Sequence, residues 1–262
     1  MAASIIGGLL ADGYDANHIY VAEPDADKRK ALNKQFGVQT EAENDAAIAK
    51  AEAVVLAIKP QVLSEVCAGM ADAVQQHQPL VISIAAGIRS TDIERWLGGN
   101  AAIVRTMPNT PAMVQSGATG LFANAKVSEA ERELAESIMR AVGITLWLED
   151  EAQLDAVTAL SGSGPAYFFY VMEAMENAGK SLGLKDNAAR LLAIQTAFGA
   201  AKLALESSED PGTLRERVTS PGGTTERALS VLREGGLEAL FLEALQAAND
   251  RAAELADQLG AK

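Results

Sequence analysis

The sequence predicts an α/β protein in which a doubly wound parallel sheet is followed by an all-helical domain. Three observations support this fold class. Helical and strand patterns alternate through the first half of the chain, two strands are continuous apolar runs, and strand patterns disappear after about residue 149. Alternation of this kind is typical of a parallel sheet covered by helices. We place the domain boundary at residue 150, which gives domains 1–150 and 151–262.

The elements of the first domain follow from the spacing of its apolar residues. The sequences AVVLAI and LVISIA are continuous apolar runs, as expected of strands buried on both faces. The predicted strands are 18–22, 38–40, 53–58, 80–85, 103–107, 118–123 and 144–148. The predicted helices are 1–11, 25–36, 61–74, 91–97 and 128–142.

The second domain is predicted from three stripes of apolar residues at helical spacing. The stripes begin at Phe168, Leu191 and Leu237, and the last alternates steps of three and four residues as far as Leu259. Such stripes are usually core positions or helix–helix contacts. Three long helices alone make a thin core, so we expect a homodimer in which a partner subunit completes it.

Composition argues against several kinds of partner. The net charge is −13 and no basic cluster stands out, which argues against nucleic acid and anionic membranes. No apolar run approaches the roughly 20 residues that span a bilayer. The N-terminus lacks a charged leader, so we expect a cytoplasmic protein. Cys67 is the only cysteine and His18 and His77 the only histidines. We expect a buried thiol, surface imidazoles and no metal site.

The N-terminus bears on nucleotide binding. A dinucleotide-binding unit begins with a strand and a glycine-rich turn that bring helix N–H groups to the pyrophosphate, whereas this chain is predicted to begin directly with a helix. A second strand then ends at Glu23, at the spacing and with the residue type of a ribose contact. Two interpretations stay open: a dinucleotide-binding unit that lacks its first strand and turn, or an unrelated α/β protein.

Short motifs come directly after three of the predicted strands. In the motif 57–61, Lys59 is placed to face a phosphate or ribose and Pro60 to begin the next helix, although an ordinary connection is the alternative. The small residues of 83–87 allow a flat ligand to approach, or a helix to pack on the sheet. The two prolines of 107–111 stiffen a loop of modest specificity.

Two motifs place small and hydroxyl residues at predicted helix starts. In 161–167, Pro165 fits the first helical position, and a helix start is the simpler interpretation. In 218–225, hydroxyls and backbone N–H groups gather at a helix N-terminus, which suits a carboxylate ligand. An N-cap at Thr224 or Thr225 is the alternative. Two adjacent glycines and four hydroxyls exceed what a cap needs.

With these motifs, the chain resembles the pyrroline-5-carboxylate reductases. Segment 214–232 has the pattern L-x3-V-T-S-x-G-G-x-T-x2-A-L-x2-L, which is long and specific. The motifs at 57–61, 83–87, 108–111 and 161–167 occur in the family's order and spacing. The resemblance covers essentially the whole chain. It implies an N-terminal Rossmann domain and a helical domain through which two subunits form a homodimer. In many members of the family, five such dimers form a decamer.

The resemblance also bears on the start of the chain. Members of the family usually begin with a short strand and a Gly-x-Gly-x-Met turn, and Met1–Ser4 resembles the residues that come directly after that turn. We therefore expect that roughly ten residues, the central strand and the pyrophosphate cradle, are absent from this chain.

The implied reaction is hydride transfer from C4 of the nicotinamide to the imine carbon of 1-pyrroline-5-carboxylate. The product is L-proline, in the last step of its biosynthesis. The resemblance implies that the Thr225 hydroxyl lies near the ring nitrogen, where it guides or donates a proton. The residues expected at the substrate are Ser220, Gly222, Gly223, Thr224 and Thr225. The residues expected at the cofactor are Asn44, Ala57, Ile58, Lys59, Pro60 and Ala86.

The expected cofactor is NADPH, while NADH stays open. Glu23 at the end of the second strand favours an unphosphorylated ribose, and Lys28 or Arg29 would offset it. Two rival functions also stay open. One is a related dehydrogenase of small hydroxy acids, whose catalytic lysine near a glycine-rich helix start has no counterpart in 161–167. The other is a chain that dimerises without holding the dinucleotide.

Overall fold

The computed structural model describes residues 1–261, which form two compact units. The first unit comprises residues 1–163 together with the described residues from 247 onward, and the second comprises 164–246. The first unit contains mainly parallel strands with helices, and the elements of the second are all helical. This arrangement confirms the predicted fold class. The division at residue 150 stays a prediction.

The strands form two sheets. In the first, β1 (Tyr20–Ala22) pairs in parallel with β2 (Gln39–Glu41). The second follows chain order and contains β3 (Ala53–Leu56), β4 (Leu80–Ser83), β5 (Ile103–Met107), β6 (Gly117–Ala123) and β7 (Gly143–Trp147). Strands β3, β4 and β5 are parallel, whereas β6 is antiparallel to β5 and parallel to β7.

The reversal at β6 departs from the predicted parallel sheet and has a local cause. Parallel neighbours need a long crossover, usually a helix, whereas antiparallel neighbours can be joined by a short connection. Between β5 and β6 the chain forms only a 3₁₀ turn at Thr110–Val114. Strand β6 therefore returns beside β5 in the opposite direction.

The helices of the first unit include the five predicted ones, one of them broken in two, and two short helices that the sequence does not predict, at Asn44–Ile48 and Gln153–Val157. They are α1 (Ala2–Ala11), α2 (Ala26–Phe36), α3 (Asn44–Ile48), α4 (Pro60–Gly69), α5 (Ala71–His77), α6 (Ser90–Trp96), α7 (Glu129–Arg140) and α8 (Gln153–Val157). The single helix predicted over 61–74 is interrupted at Met70, whose backbone lies outside the helical region at φ −108°. The sequence also predicts the start of α7, where Ser128 and Glu131 form a capping box.

Burial confirms most of the expected core. Every residue of β4 is buried, as its apolar run predicts. The residues of β3 before Leu56 are only half-buried, because β3 is the end strand of its sheet. Cys67 is buried in the core, and burial raises the pKa of its thiol to about 12. His18 and His77 are exposed, as expected.

The second unit is built from long helices whose apolar faces it covers poorly. It contains α9 (Gly164–Ser181), α10 (Asp186–Glu206), α11 (Pro211–Arg217), α12 (Thr224–Glu234) and the first part of α13 (Leu237–Gly260). On α10, Leu191 and Phe198 are 66% and 60% exposed. A helix that is apolar on all sides normally lies buried. Within this single chain only Ala189 and Ala193 of α10 are buried.

By length and composition α10 is also apolar enough to cross a membrane. Only 11% of its most apolar window is buried within the chain. The sequence did not show this because Arg190 and Lys202 interrupt the apolar run. The core helix of a soluble protein passes the same test.

Two adjacent glycines in α1 give a matched test of how this helix packs. A Cβ on Gly8 would lie 2.5 Å from the carbonyl oxygen of Ala141, whereas one on Gly7 would lie 3.6 Å from Cε1 of Phe36. We predict that Gly8→Ala lowers the free energy of unfolding by about 1–3 kcal/mol, because α1 is pushed away from the end of α7. Gly7→Ala should raise it by about 0.5–1 kcal/mol, because alanine favours the helix. Urea denaturation measures the free energy of unfolding of both variants. Equal changes in the two variants would contradict the close contact between Gly8 and Ala141.

Candidate functional site

The residues expected at the cofactor follow the carboxyl ends of three strands. Asn44 opens α3 after β2. Lys59 is the N-cap of α4 after β3, and Pro60 is the first residue of that helix. Ala86 follows β4 and is half-buried. Because ligands of open α/β sheets bind outside the carboxyl ends of strands, this placement suits a nucleotide.

Local hydrogen bonds fix the start of the loop that carries Ala86. The Ser83 Oγ accepts a hydrogen bond from the backbone N–H of Ala85 at 3.3 Å, and the Thr106 hydroxyl donates to the Ser83 carbonyl at 3.1 Å. Ala85 and Ile88 anchor the loop in the core. Ala86 between them is left on the more open side, where a ligand can reach it.

The far end of the same loop is tied to a buried charge. The Glu151 carboxylate accepts hydrogen bonds from the backbone N–H and the hydroxyl of Ser90 at 2.6 and 2.8 Å. It also pairs with the Arg105 guanidinium at 2.7 Å, and the Arg105 side chain is only 7% exposed. Burial raises the pKa of the nearby Asp155, and Arg105 opposes that shift.

The C-terminal half of α13 holds this loop from another side. Arg89 forms an ion pair with Asp257 at 2.6 Å, which raises the pKa of the guanidinium. Gly87 has a φ of +68°, and a Cβ there would lie 3.4 Å from Leu255 Cβ. The sequence analysis missed this support. Its one signal was Arg105, a charge inside an apolar strand that requires a partner.

The end of β1 combines an acid with two cations. The Glu23 carboxylate accepts a hydrogen bond from the backbone N–H of Asp25 at 3.1 Å and lies 3.9 Å from Lys28 Nζ. The Arg29 guanidinium donates instead to the carbonyls of Glu23 and Pro24, at 2.6 and 2.8 Å. Lys28, with a side chain 66% exposed, is therefore the better placed cation for a ribose phosphate.

These residues together fit an NADP-type dinucleotide. Its adenine ribose suits the acid and the exposed lysine at the end of β1, and its flat rings suit the half-buried Ala57 and Ala86. Helix α1 begins at Ala2, and its N-cap Met1 makes no side-chain capping bond. The first N–H groups of a helix have no intrahelical acceptor and attract anions such as a pyrophosphate.

The residues expected at the substrate lie in the loop that opens α12. The N-cap of α12 is Gly223, and it makes no side-chain capping bond. Neither Thr224 nor Thr225 is the cap, so the capping alternative is wrong. Gly222 adopts a φ of +71°, and the backbone N–H of Gly223 donates to the Ser220 carbonyl at 3.0 Å. The loop therefore turns sharply into the helix.

An open cavity of about 650 Å³ borders this loop within the second unit. It is lined by Gly222, Gly223, Glu226, Arg227, Ser230, Arg233 and Glu234. Two of the five expected substrate residues thus line a cavity that also contains two guanidinium groups. The expected cofactor residues lie in the first unit and the expected substrate residues in the second.

Comparisons with known proteins show which family the chain resembles. Residues 151–255 match the family model for pyrroline-5-carboxylate reductase dimerisation, and residues 1–87 match that for NADP oxidoreductase, coenzyme F420-dependent. The chain is 52% identical to a pyrroline-5-carboxylate reductase of Pseudomonas aeruginosa, over 99% of this chain and 95% of the relative.

Solved structures give the same result. The structure of a pyrroline-5-carboxylate reductase from Coxiella burnetii superposes with a TM-score of 0.94 at 48% identity, covering 97% of this chain and 94% of that one. A Plasmodium falciparum pyrroline carboxylate reductase with NADP bound superposes with a TM-score of 0.84 at 25% identity, with the same coverage.

These similarities extend over nearly the whole of both chains, which removes the alternative of an unrelated α/β protein. The chain belongs to the pyrroline-5-carboxylate reductase family.

Proposed function

We infer that the chain reduces 1-pyrroline-5-carboxylate to L-proline with NADPH, the last step of proline biosynthesis. The observation that carries this inference is the Ser220–Thr225 turn, which leads through the glycine N-cap of α12 in a chain of this family. The direct test is proline formation from 1-pyrroline-5-carboxylate, followed by the loss of NADPH absorbance. Absence of turnover would favour a chain that dimerises without catalysis.

We assign cofactor binding to the residues at the strand ends. Ala57, Ile58, Lys59 and Pro60 would lie along the cofactor after β3, Ala86 after β4 and Asn44 after β2. When bound, the cofactor supplies a hydride from C4 of its nicotinamide. The chain's own contribution is to orient the ring and to balance the charge of the phosphates. Lys59 is the basic residue of the motif 57–61 and would supply that charge.

We assign the substrate carboxylate to the start of α12. The backbone N–H groups of Gly222, Gly223 and Thr224 and the Ser220 hydroxyl are donors of the kind that a carboxylate requires. In this structure the N–H of Gly223 donates to the Ser220 carbonyl and that of Gly222 to Glu226, so both bonds must open before the substrate can use these two groups. The protonated imine is already an electrophile, so the reaction needs no strong base. The Thr225 hydroxyl would lie near the ring nitrogen, where it would donate a proton to the neutral imine or accept a hydrogen bond from the N–H of the protonated one.

We also propose how the enzyme assembles and where it is located. The helical domain, 151–262, forms a homodimer that covers the apolar faces of α10, and dimers assemble further into a decamer. Domain 1–150 holds the dinucleotide. Because the dimer covers the apolar helices, we propose that the enzyme is cytoplasmic. Its partners are the substrate and further subunits of the same protein. It requires no metal, membrane or nucleic acid.

The role of Thr225 can be tested by removing its hydroxyl. Thr225→Val keeps the shape of the side chain but removes the hydroxyl, so kcat should fall by about 10²-fold, the usual contribution of a positioned proton donor. Thr225→Ser retains the hydroxyl and should keep most of the activity. Steady-state kinetics with saturating NADPH measure both. A Thr225→Val enzyme within twofold of the parent kcat would remove Thr225 from the reaction.

Glu23 at the end of β1 is predicted to affect the affinities for NADPH and NADH in opposite directions. Glu23→Gln removes a negative charge, so it should tighten NADPH and weaken NADH, changing the ratio of their dissociation constants about tenfold. Lys28→Gln should weaken NADPH alone. Fluorescence titration with each cofactor measures the constants. Equal changes for both cofactors would show that Glu23 does not lie near the ribose.

The exposed face of α10 gives a prediction about assembly. Phe198→Glu places a charge where an apolar partner surface is expected, and should convert the homodimer into monomers because a buried unpaired charge is costly. Light scattering after size-exclusion chromatography reports the mass. Lys30→Glu, on an exposed helix of the first unit, is the control. A dimer of unchanged stability in Phe198→Glu would show that α10 is not the interface.

A further inference from the structure

A carboxylate of the chain itself occupies the substrate loop. The backbone N–H of Gly222 donates a hydrogen bond of 2.7 Å to Oε2 of Glu226. Glu226 lies in the first turn of α12, four residues after Gly222, and lines the same cavity. The loop therefore binds a carboxylate in this structure, and that carboxylate belongs to the protein.

The position of the Glu226 carboxylate affects how tightly the substrate can bind. A single N–H group makes one good hydrogen bond at a time, so the substrate carboxylate can use Gly222 only after Glu226 has left it. Two carboxylates in the same cavity also repel each other. Both effects weaken substrate binding, and neither acts on the nicotinamide cofactor.

We propose that Glu226 competes with the substrate carboxylate for the N–H of Gly222 and so sets the affinity for the imino acid. The proposal rests on the proposed function, because it assumes that the substrate binds at this loop. Glu226 is an affinity-determining residue that weakens binding of any small cyclic amino or imino acid with a free carboxylate. Its bond to Gly222 breaks when the substrate enters and re-forms when the product leaves.

The test compares Glu226→Gln and Glu226→Ala with the parent enzyme. Alanine removes the competing acceptor and the charge, so KM for 1-pyrroline-5-carboxylate should fall about two- to tenfold, the range expected for one exchanged hydrogen bond. Glutamine keeps a weaker, uncharged acceptor and should lower KM by a smaller factor. The KM for NADPH should not change. Calorimetric titration with proline should show the same tightening without turnover.

Glu238→Ala is the matched control. Glu238 is the acid in the first turn of α13, so its loss removes the same charge and the same interaction with a helix N-terminus. It does not belong to the cavity lining. Its KM and its affinity for proline should equal those of the parent. A fall equal to that of Glu226→Ala would show that net charge acts, and would overturn the proposal.

The remaining outcomes separate this proposal from the proposed function. An unchanged or raised KM in Glu226→Ala would overturn the competition, and a rise would show that Glu226 attracts the protonated imine. Both results presuppose a parent enzyme that forms proline. A parent that forms none would overturn the proposed function itself. Thermal melting of each variant shows whether the protein is still folded.

Discussion

The first unit depends on one buried charge. Arg105 is buried in β5, and a buried guanidinium is stable only with a charged partner. Glu151 supplies that partner and at the same time accepts both hydrogen bonds of Ser90 at the start of α6. The loop between β4 and α6 is therefore fixed at its far end, which places Ala86 where a flat ring can reach it.

The second unit is governed by a different constraint, because its helices carry apolar surface that the rest of the chain does not bury. Its helices expose phenylalanine and leucine side chains such as Phe168, Phe198 and Leu191. Burial of apolar side chains is worth about 1.5–3 kcal/mol each, so a second copy that covers them gives a strong reason to associate. The match to a dimerisation family over 151–255 fits this physical picture.

The sequence predicts elements better than it predicts their partners. The apolar run at 80–85 correctly indicates the buried strand β4, and the glycine–threonine turn correctly indicates the start of α12. The similar run at 53–58 overstates burial, because position at the sheet edge is set by topology. The antiparallel direction of β6 likewise depends on a connection too short for a crossover.

Contacts between distant residues explain the rest. Arg105 and Glu151 are 46 residues apart, and Arg89 and Asp257 are 168 apart, so no local pattern pairs them. The bond between Gly222 and Glu226 spans four residues within one helix start and was accessible to sequence analysis. The same glycines and hydroxyls are also typical donors for a ligand, so their pattern alone does not single out the acid at position 226 as their acceptor.

The central claim is that this chain transfers a hydride from the nicotinamide to the imine carbon of 1-pyrroline-5-carboxylate. The most direct measurement uses NADPH deuterated at the transferred position of C4 and locates the label in the product by NMR. We predict L-proline that carries one deuterium at C5. Formation of unlabelled proline, or of no proline while the cofactor is still bound, would contradict this claim.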